Sequence, residues 1–341
     1  MRVVSQYAAT EFSMKIVGIE EHFLSPDVRA SWAAAAGAGQ DASAALHLGE
    51  MQERLEELSD KRLVRMDENG VDVQVLSLTS PGLHDLEPAE GISLARRTND
   101  LIAATIASHP DRFDGFATIP TTAPKEAVRE LERSVCDLGL KGGMLFGRTM
   151  DKNLDDTDFW PIFEMASHLR IPLFIHPRTP PRAVREAYYS GFDPQVDLAF
   201  ATFGIGWHYD CGVQFLRLAL AGVFDRFPDL QIILGHWGEV VLFYTERLKA
   251  FSRVAKLQRS VVDTMRENLY VTPSGMFSES NFRNALEVVG IDRVLFSTDY
   301  PYQYRPGGGP KSFLEQLPIS HEEKEKIAHA NWERLTRGIR R

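Results

Sequence analysis

Residues 15–23, Lys-Ile-Val-Gly-Ile-Glu-Glu-His-Phe, "KIVGIEEHF", join an apolar run fit for a buried strand to three consecutive ionisable side chains. Side chains alternate faces along a strand. Glu20 and His22 therefore share one face, and Glu21 takes the other and needs its own partner. If Glu20 and His22 face the interior, they form a two-donor claw for a divalent cation. The same construction recurs along the chain. Apolar runs end in a polar residue at His176 in "IPLFIHP" (171–177), at His236 in "LQIILGHW" (230–237) and at Asp299 in "RVLFSTDYP" (293–301). Four further runs, "VDVQVLSLT" (71–79), "FDGFATIP" (113–120), "GLKGGMLF" (139–146) and "NLYVTPS" (268–274), bring the strand candidates to eight.

Amphipathic segments separate most of these runs. In "AVRELERSVCDL" the apolar residues fall three and four apart, as a one-sided helix requires. Repeated strand-then-helix units imply parallel strands with right-handed crossovers. Eight of them predict a closed (β/α)8 TIM barrel, an α/β fold with its active site at the C-terminal ends of the strands. A doubly wound open sheet lacks the Gly-rich phosphate loop after the first strand that would support it. Two stretches exceed a minimal barrel. One is a helical insertion after the first strand (24–65, with a helix pattern running on to 70), and the other is a long loop after the fifth (178–209). The expected organisation is one barrel domain over 14–341 behind an N-terminal extension, residues 1–13.

Composition narrows the partners. Net charge is −9 with no basic stretch, which argues against nucleic acid or an anionic membrane as the main partner. No apolar run approaches the ~20 residues that span a bilayer. Two cysteines, Cys136 and Cys211, make no disulfide framework, so a cytoplasmic location is expected. Both sit in helical patterns and read as packing residues.

Carboxylate and imidazole at four strand ends are the usual donors for zinc and manganese. A single His at a strand end is more often a structural residue. Four such ends in barrel order predict a metal site. In "GHWGEVVLFYTERL", Glu239 is expected to enter a helical turn, where a carboxylate suits the dipole, or else to orient His236 or touch substrate. Arg247 reads as a surface charge on composition alone. Lys141 is expected to face helices or solvent rather than a metal.

Glu20-x-His22, the "HP" at His176, "GHWGE" at His236 and "STDYP" at Asp299 resemble the amidohydrolase-related metal-dependent decarboxylases. These include the γ-resorcylate, 2,3-dihydroxybenzoate and 5-carboxyvanillate decarboxylases and, more distantly, the aminocarboxymuconate semialdehyde decarboxylase. The resemblance runs from about residue 15 to 337, and "FDRFPDLQIILGHWGE" is especially close. It implies one divalent ion, Mn2+ or Zn2+ with Mg2+ possible, held by Glu20, His22, His176 and Asp299. It implies that His236 and Glu239 form an active-site pair and that Arg247 binds the substrate carboxylate or supports the site. The implied reaction is non-oxidative decarboxylation of a hydroxybenzoate-type acid with Asp299 as proton donor. The implied assembly is a homodimer or homotetramer. Hydrolysis of a lactone or amide in the same barrel, or metal binding without turnover, are the alternatives.

Overall fold

The computed structural model describes residues 14–34 and 41–341. The expected extension 1–13 lies outside the described residues. Eight staves form a parallel barrel. The first sheet runs β1 (Val17–Phe23), β2 (Val73–Leu78) and β3 (Phe113–Gly115). The second runs β4 (Ala117–Thr118), β5 (Gly143–Phe146), β6 (Pro172–His176), β7 (Gln231–Leu234) and β8 (Leu269–Val271). β3 and β4 are two halves of one stave, broken at Phe116, whose N–H still bonds the Leu76 carbonyl. The predicted last strand, 293–301, is extended without regular pairing. It still bridges both neighbours, through Leu295 N–H to Val271, Ile19 N–H to Phe296 and His22 N–H to Tyr300.

Two apolar cores follow from alternation. The inner one collects Val17, Ile19, Val75, Phe116, Phe174, Ile233 and Leu295 from around the barrel, with Trp332 of the C-terminal helix Asn331–Thr336 packed against Phe116. The outer one fills the space between strands and helices. Helix Pro124–Cys136 shows how that layer is specified: Pro124 opens its first turn, and Ala127, Leu131 and Val135, four apart, are all buried.

β1 departs from strict alternation. Gly18 pairs with Gln74, but Glu21 pairs with Leu76, so β1 carries one residue more than its partner between them. This bulge changes which parity faces inward. Val17 and Ile19 point into the barrel below it, Glu20 and His22 above it. Gly18 and Glu21 share the outer face, where a Cβ on Gly18 would stand 2.3 Å from Glu21 Oε1.

Three expectations are corrected. The helix pattern 45–70 is not continuous: it splits into Glu50–Glu56 and Asp60–Asn69, behind a short 3-10 turn at Ala42–Leu46. The "long loop" 178–209 is mostly helical, with Arg182–Tyr188, Pro194–Ala199 and the start of Gly206–Leu220. The segment from Glu239 is not a helix start. β7 stops at Leu234, and His236, Trp237, Gly238, Glu239 and Val240 all have positive φ, so a regular helix begins only at Thr245.

Candidate metal and substrate site

Three strand ends deliver the donors to the C-terminal mouth. His22 Nε2 lies 4.0 Å from Glu20 Oε1 and 3.5 Å from Asp299 Oδ1, and His176 Nε2 lies 3.5 Å from Glu20 Oε1. Glu20, His22 and His176 offer ligand atoms within 4.8 Å of one another. His176 gives its Nδ1 proton to the Pro177 carbonyl at 2.7 Å, which leaves Nε2 as a lone pair. His22 Nδ1 meets the Ser77 hydroxyl at 3.0 Å. Glu20 Oε2 accepts from Ser274 and Thr272, while Glu20 Oε1 and His22 Nε2 are buried with no partner. Gly235 makes room for Glu20, because a Cβ there would meet Ser274 Oγ at 2.6 Å and both Glu20 oxygens at 3.2 Å.

The electrostatics of these donors point the same way. Burial pushes Glu20 up to about 8, against its Ser274 hydrogen bond. Burial, then the charge of Glu20, holds Asp299 well above the usual carboxylate range. Burial holds His22 far below the imidazole range and His176 down at about 3. Glu20 Oε1 and His22 Nε2, buried and without hydrogen-bond partners, converge with His176 on one point as cation donors do. A divalent ion would stabilise both carboxylates and take the imidazole lone pairs, so the donor set fits one.

Glu21 faces away and has its own partners. Its Oε1 accepts Thr298 N–H at 2.8 Å, and its Oε2 accepts Thr298 Oγ1–H at 2.6 Å and Gln74 Nε2–H at 3.1 Å. Arg62, fully buried, holds Gln74 at 2.7 Å and the His22 carbonyl at 2.8 Å and lies over the Tyr300 ring. Glu21 thereby ties β1 to the segment that carries Asp299.

His236 and Glu239 are brought together, with Nδ1 to Oε1 at 2.7 Å. The sequence reading missed that Glu239 Oε2 also accepts from His208 Nδ1, at 2.8 Å. Burial raises the Glu239 carboxyl, but the charge and hydrogen bonds of His236 and His208 outweigh it and hold the group at about 2. Burial holds His236 below its usual value. Glu239 thus accepts an Nδ1–H bond from each ring, His236 on Oε1 and His208 on Oε2. His236 Nε2 is then free to face the cavity. Six non-glycine residues here, His236, Trp237, Glu239, Val240, Ser274 and Asp299, have φ between 46° and 64°. Strain of this kind persists where surrounding contacts over-determine the backbone.

Above the donors lies a cavity of about 320 Å³. Its wall includes His176, His236, His208 and Asp299, the aromatic rings of Phe203, Trp207 and Tyr302, and Ser43, Leu46, His47 and Met51 of the insertion. Among the described residues no Lys or Arg lines it. Arg247 is not brought here. It is exposed on helix Thr245–Val254, which buries only Leu248. Lys141 pairs with Asp114 at 2.6 Å, away from the donors. His47 and His208 carried no signal in sequence, because neither ends an apolar strand.

Carboxylates and imidazoles at the mouth of a (β/α)8 barrel define the class of enzymes that act on small molecules through a bound divalent ion. The chain belongs to the amidohydrolase family, whose model, described as Amidohydrolase, matches residues 22–337. A γ-resorcylate decarboxylase of Polaromonas sp. (strain JS666) is 33% identical over 84% of this chain and 89% of its own. The crystal structure of 5-carboxyvanillate decarboxylase from Sphingomonas paucimobilis is 31% identical with a TM-score of 0.88, over 96% of this chain and all of that one. A dihydroxybenzoic acid decarboxylase from Polaromonas sp. JS666, solved with bound manganese and the inhibitor 2-nitroresorcinol, is 30% identical with a TM-score of 0.82, over 95% and 97%. No helix among the described residues is long and apolar enough to cross a membrane.

Proposed function

We propose that this chain catalyses metal-dependent, non-oxidative decarboxylation of a hydroxylated aromatic carboxylic acid. The observation that carries the reading is the convergence of Glu20, His22, His176 and Asp299 beneath a cavity with aromatic walls, two of whose donor atoms are buried without partners. These four residues are the proposed ligands. A divalent ion held by them, manganese or zinc, supplies the positive charge that fixes an acid and its neighbouring oxygen and stabilises developing negative charge.

The protein's own groups do the rest. Asp299, at the mouth between the other donors and the cavity, takes up a proton when the substrate binds and delivers it to the ring carbon that bears the carboxylate. The carbon–carbon bond then breaks, its electron pair stays with the ring, and carbon dioxide departs. A proton from solvent restores Asp299, so the net reaction consumes one proton and no water. His236, with Nδ1 committed to Glu239, offers Nε2 to a ring hydroxyl. Arg247 has no part in this scheme.

The proposed enzyme is a single barrel domain over 14–341 behind an extension at 1–13. Exposed Phe243, Tyr244, Phe251, Val254, Tyr188 and Phe192 support a homodimer or homotetramer, which light scattering would test. A cytoplasmic location goes with it, since Cys136 and Cys211 share no disulfide.

The test is carbon dioxide release from the manganese-loaded protein, offered mono- and dihydroxybenzoates, vanillate-type acids and simple lactones. Release from an aryl acid that stops on metal removal is expected. Opening of a lactone with no carbon dioxide from any acid would refute the proposal in favour of hydrolysis.

A further inference from the structure

We infer that His47, on the insertion after β1, is a specificity residue that hydrogen-bonds a hydroxyl on the substrate ring at a carbon remote from the carboxylate. The inference rests on the proposed function for the class of acid and for the anchoring of its carboxylate at the strand-end donors.

His47 follows the 3-10 turn Ala42–Leu46 and lines the cavity while only 4% exposed. Its ring lies 5.6 Å from that of Trp32 and 5.9 Å from that of Tyr302. Neither ring nitrogen makes a hydrogen bond among the described residues, and Nδ1 is buried without a partner. A buried polar atom left this way costs the full desolvation of the group, so native structures rarely tolerate one unless something else supplies the bond. The nearby hydroxyls are already engaged. Ser43 pairs with Ser80 at 3.4 Å and Thr79 with Tyr302 at 2.5 Å, while Leu46 and Met51 are apolar. His47 is therefore an imidazole without a partner on the wall that the insertion contributes.

Placement fixes which part of a ligand it meets. Tyr302 neighbours both rings, its own lying 5.9 Å from that of His47 and 5.8 Å from that of the donor His22. An acid anchored by its carboxylate at the strand-end donors presents its far carbons toward the insertion. Burial holds His47 neutral, down at about 4, so it offers one N–H and one lone pair, the complement of a phenolic hydroxyl. A second carboxylate there would meet neither a charged imidazole nor, among the described residues, any Lys or Arg. The ligand class is thus a monocarboxylic hydroxybenzoate with a hydroxyl at ring position 4 or 5.

The experiment compares 2-hydroxybenzoate with 2,4- and 2,5-dihydroxybenzoate on the manganese-loaded full chain. The forms tested are the native sequence, His47→Phe, which keeps an aromatic ring between Trp32 and Tyr302, and His47→Gln, which keeps a hydrogen-bonding group. The native protein is expected to favour one of the dihydroxy acids by at least about tenfold in kcat/KM. His47→Phe should bring that ratio near unity and His47→Gln should recover part of it. Manganese content and melting temperature show whether each variant is folded. The same acids are titrated calorimetrically into Asp299→Asn, with and without His47→Phe. A binding preference that His47→Phe removes, with no carbon dioxide from any acid, would uphold His47 and sink the decarboxylase reading. Carbon dioxide release with a ratio that His47→Phe leaves unchanged, or no preference in either assay, would overturn the role of His47.

Discussion

Glu239→Gln replaces the fully buried carboxylate that accepts protons from His236 and His208 with an amide that can accept from only one of them. A fall in carboxyl pKa from 4.5 to about 2 on folding is worth up to about 3 kcal/mol at neutral pH. The group is buried, so solvent screening does not reduce this figure. Because the folded value is depressed, the stabilisation is complete above the unfolded value of 4.5 and drains away as pH falls toward 2. Glutamine does not titrate, so the gap between the two proteins carries the signal. It should be about 3 kcal/mol at pH 7 and about 2 kcal/mol at pH 3.5. Urea unfolding of the metal-free proteins, followed by tryptophan fluorescence, measures it. Turnover should fall by roughly 10²–10⁴, because His236 no longer has its tautomer fixed by a carboxylate. A gap that does not change between pH 7 and pH 3.5, or a variant with native turnover, would refute the shared-carboxylate argument.

Four further outcomes follow from the donor cluster. Glu20→Gln should lose manganese, whereas Glu21→Gln should retain it and lose about 1–3 kcal/mol of stability through its Thr298 bonds; equal metal loss in both by elemental analysis would show the faces misassigned. Manganese binding at pH 7 should release protons from Glu20 and Asp299 and tighten as pH rises toward 8, since the imidazoles are already neutral; calorimetry in buffers of different ionisation heat would find none if this is wrong. The raised Glu20 value also has the opposite stability sign to Glu239. The metal-free protein should therefore lose stability as pH climbs from 4.5 to about 8, and melting curves with and without manganese should diverge across that range. Asp299→Asn should end carbon dioxide release while the protein stays folded, and near-native release from it would remove Asp299 as proton donor.

Sequence carries the barrel because each stave repeats one local pattern, an apolar run closed by a polar residue. That pattern also marks Glu20, His22, His176, His236 and Asp299. It fails where the backbone leaves regular geometry. His236 looks like a strand end in "IILGHW", but its left-handed φ puts it in a turn. The segment at 293–301 looks like a strand but pairs only at scattered points. His208 and His47 come from helical and irregular segments whose facing is set by tertiary packing, so no periodicity announces them. Arg247 sits at a spacing that matches the family pattern, yet the helix it rides on turns it to solvent.

The extra residue in β1 separates two kinds of failure. Below the bulge, Val17 and Ile19 anchor the barrel core; above it, Glu20 and His22 face the mouth. A chain whose β1 alternated strictly, with no bulge, would keep the apolar anchor but send Glu20 and His22 to the helix layer and bring Glu21 inward. Such a chain could keep much of its barrel and be unable to hold an ion. A loss of this kind would pass a thermal-shift screen and show only in metal content. In this barrel, then, loss of one bulge in a core strand is a lesion of function before it is one of folding, the reverse of what burial alone would forecast.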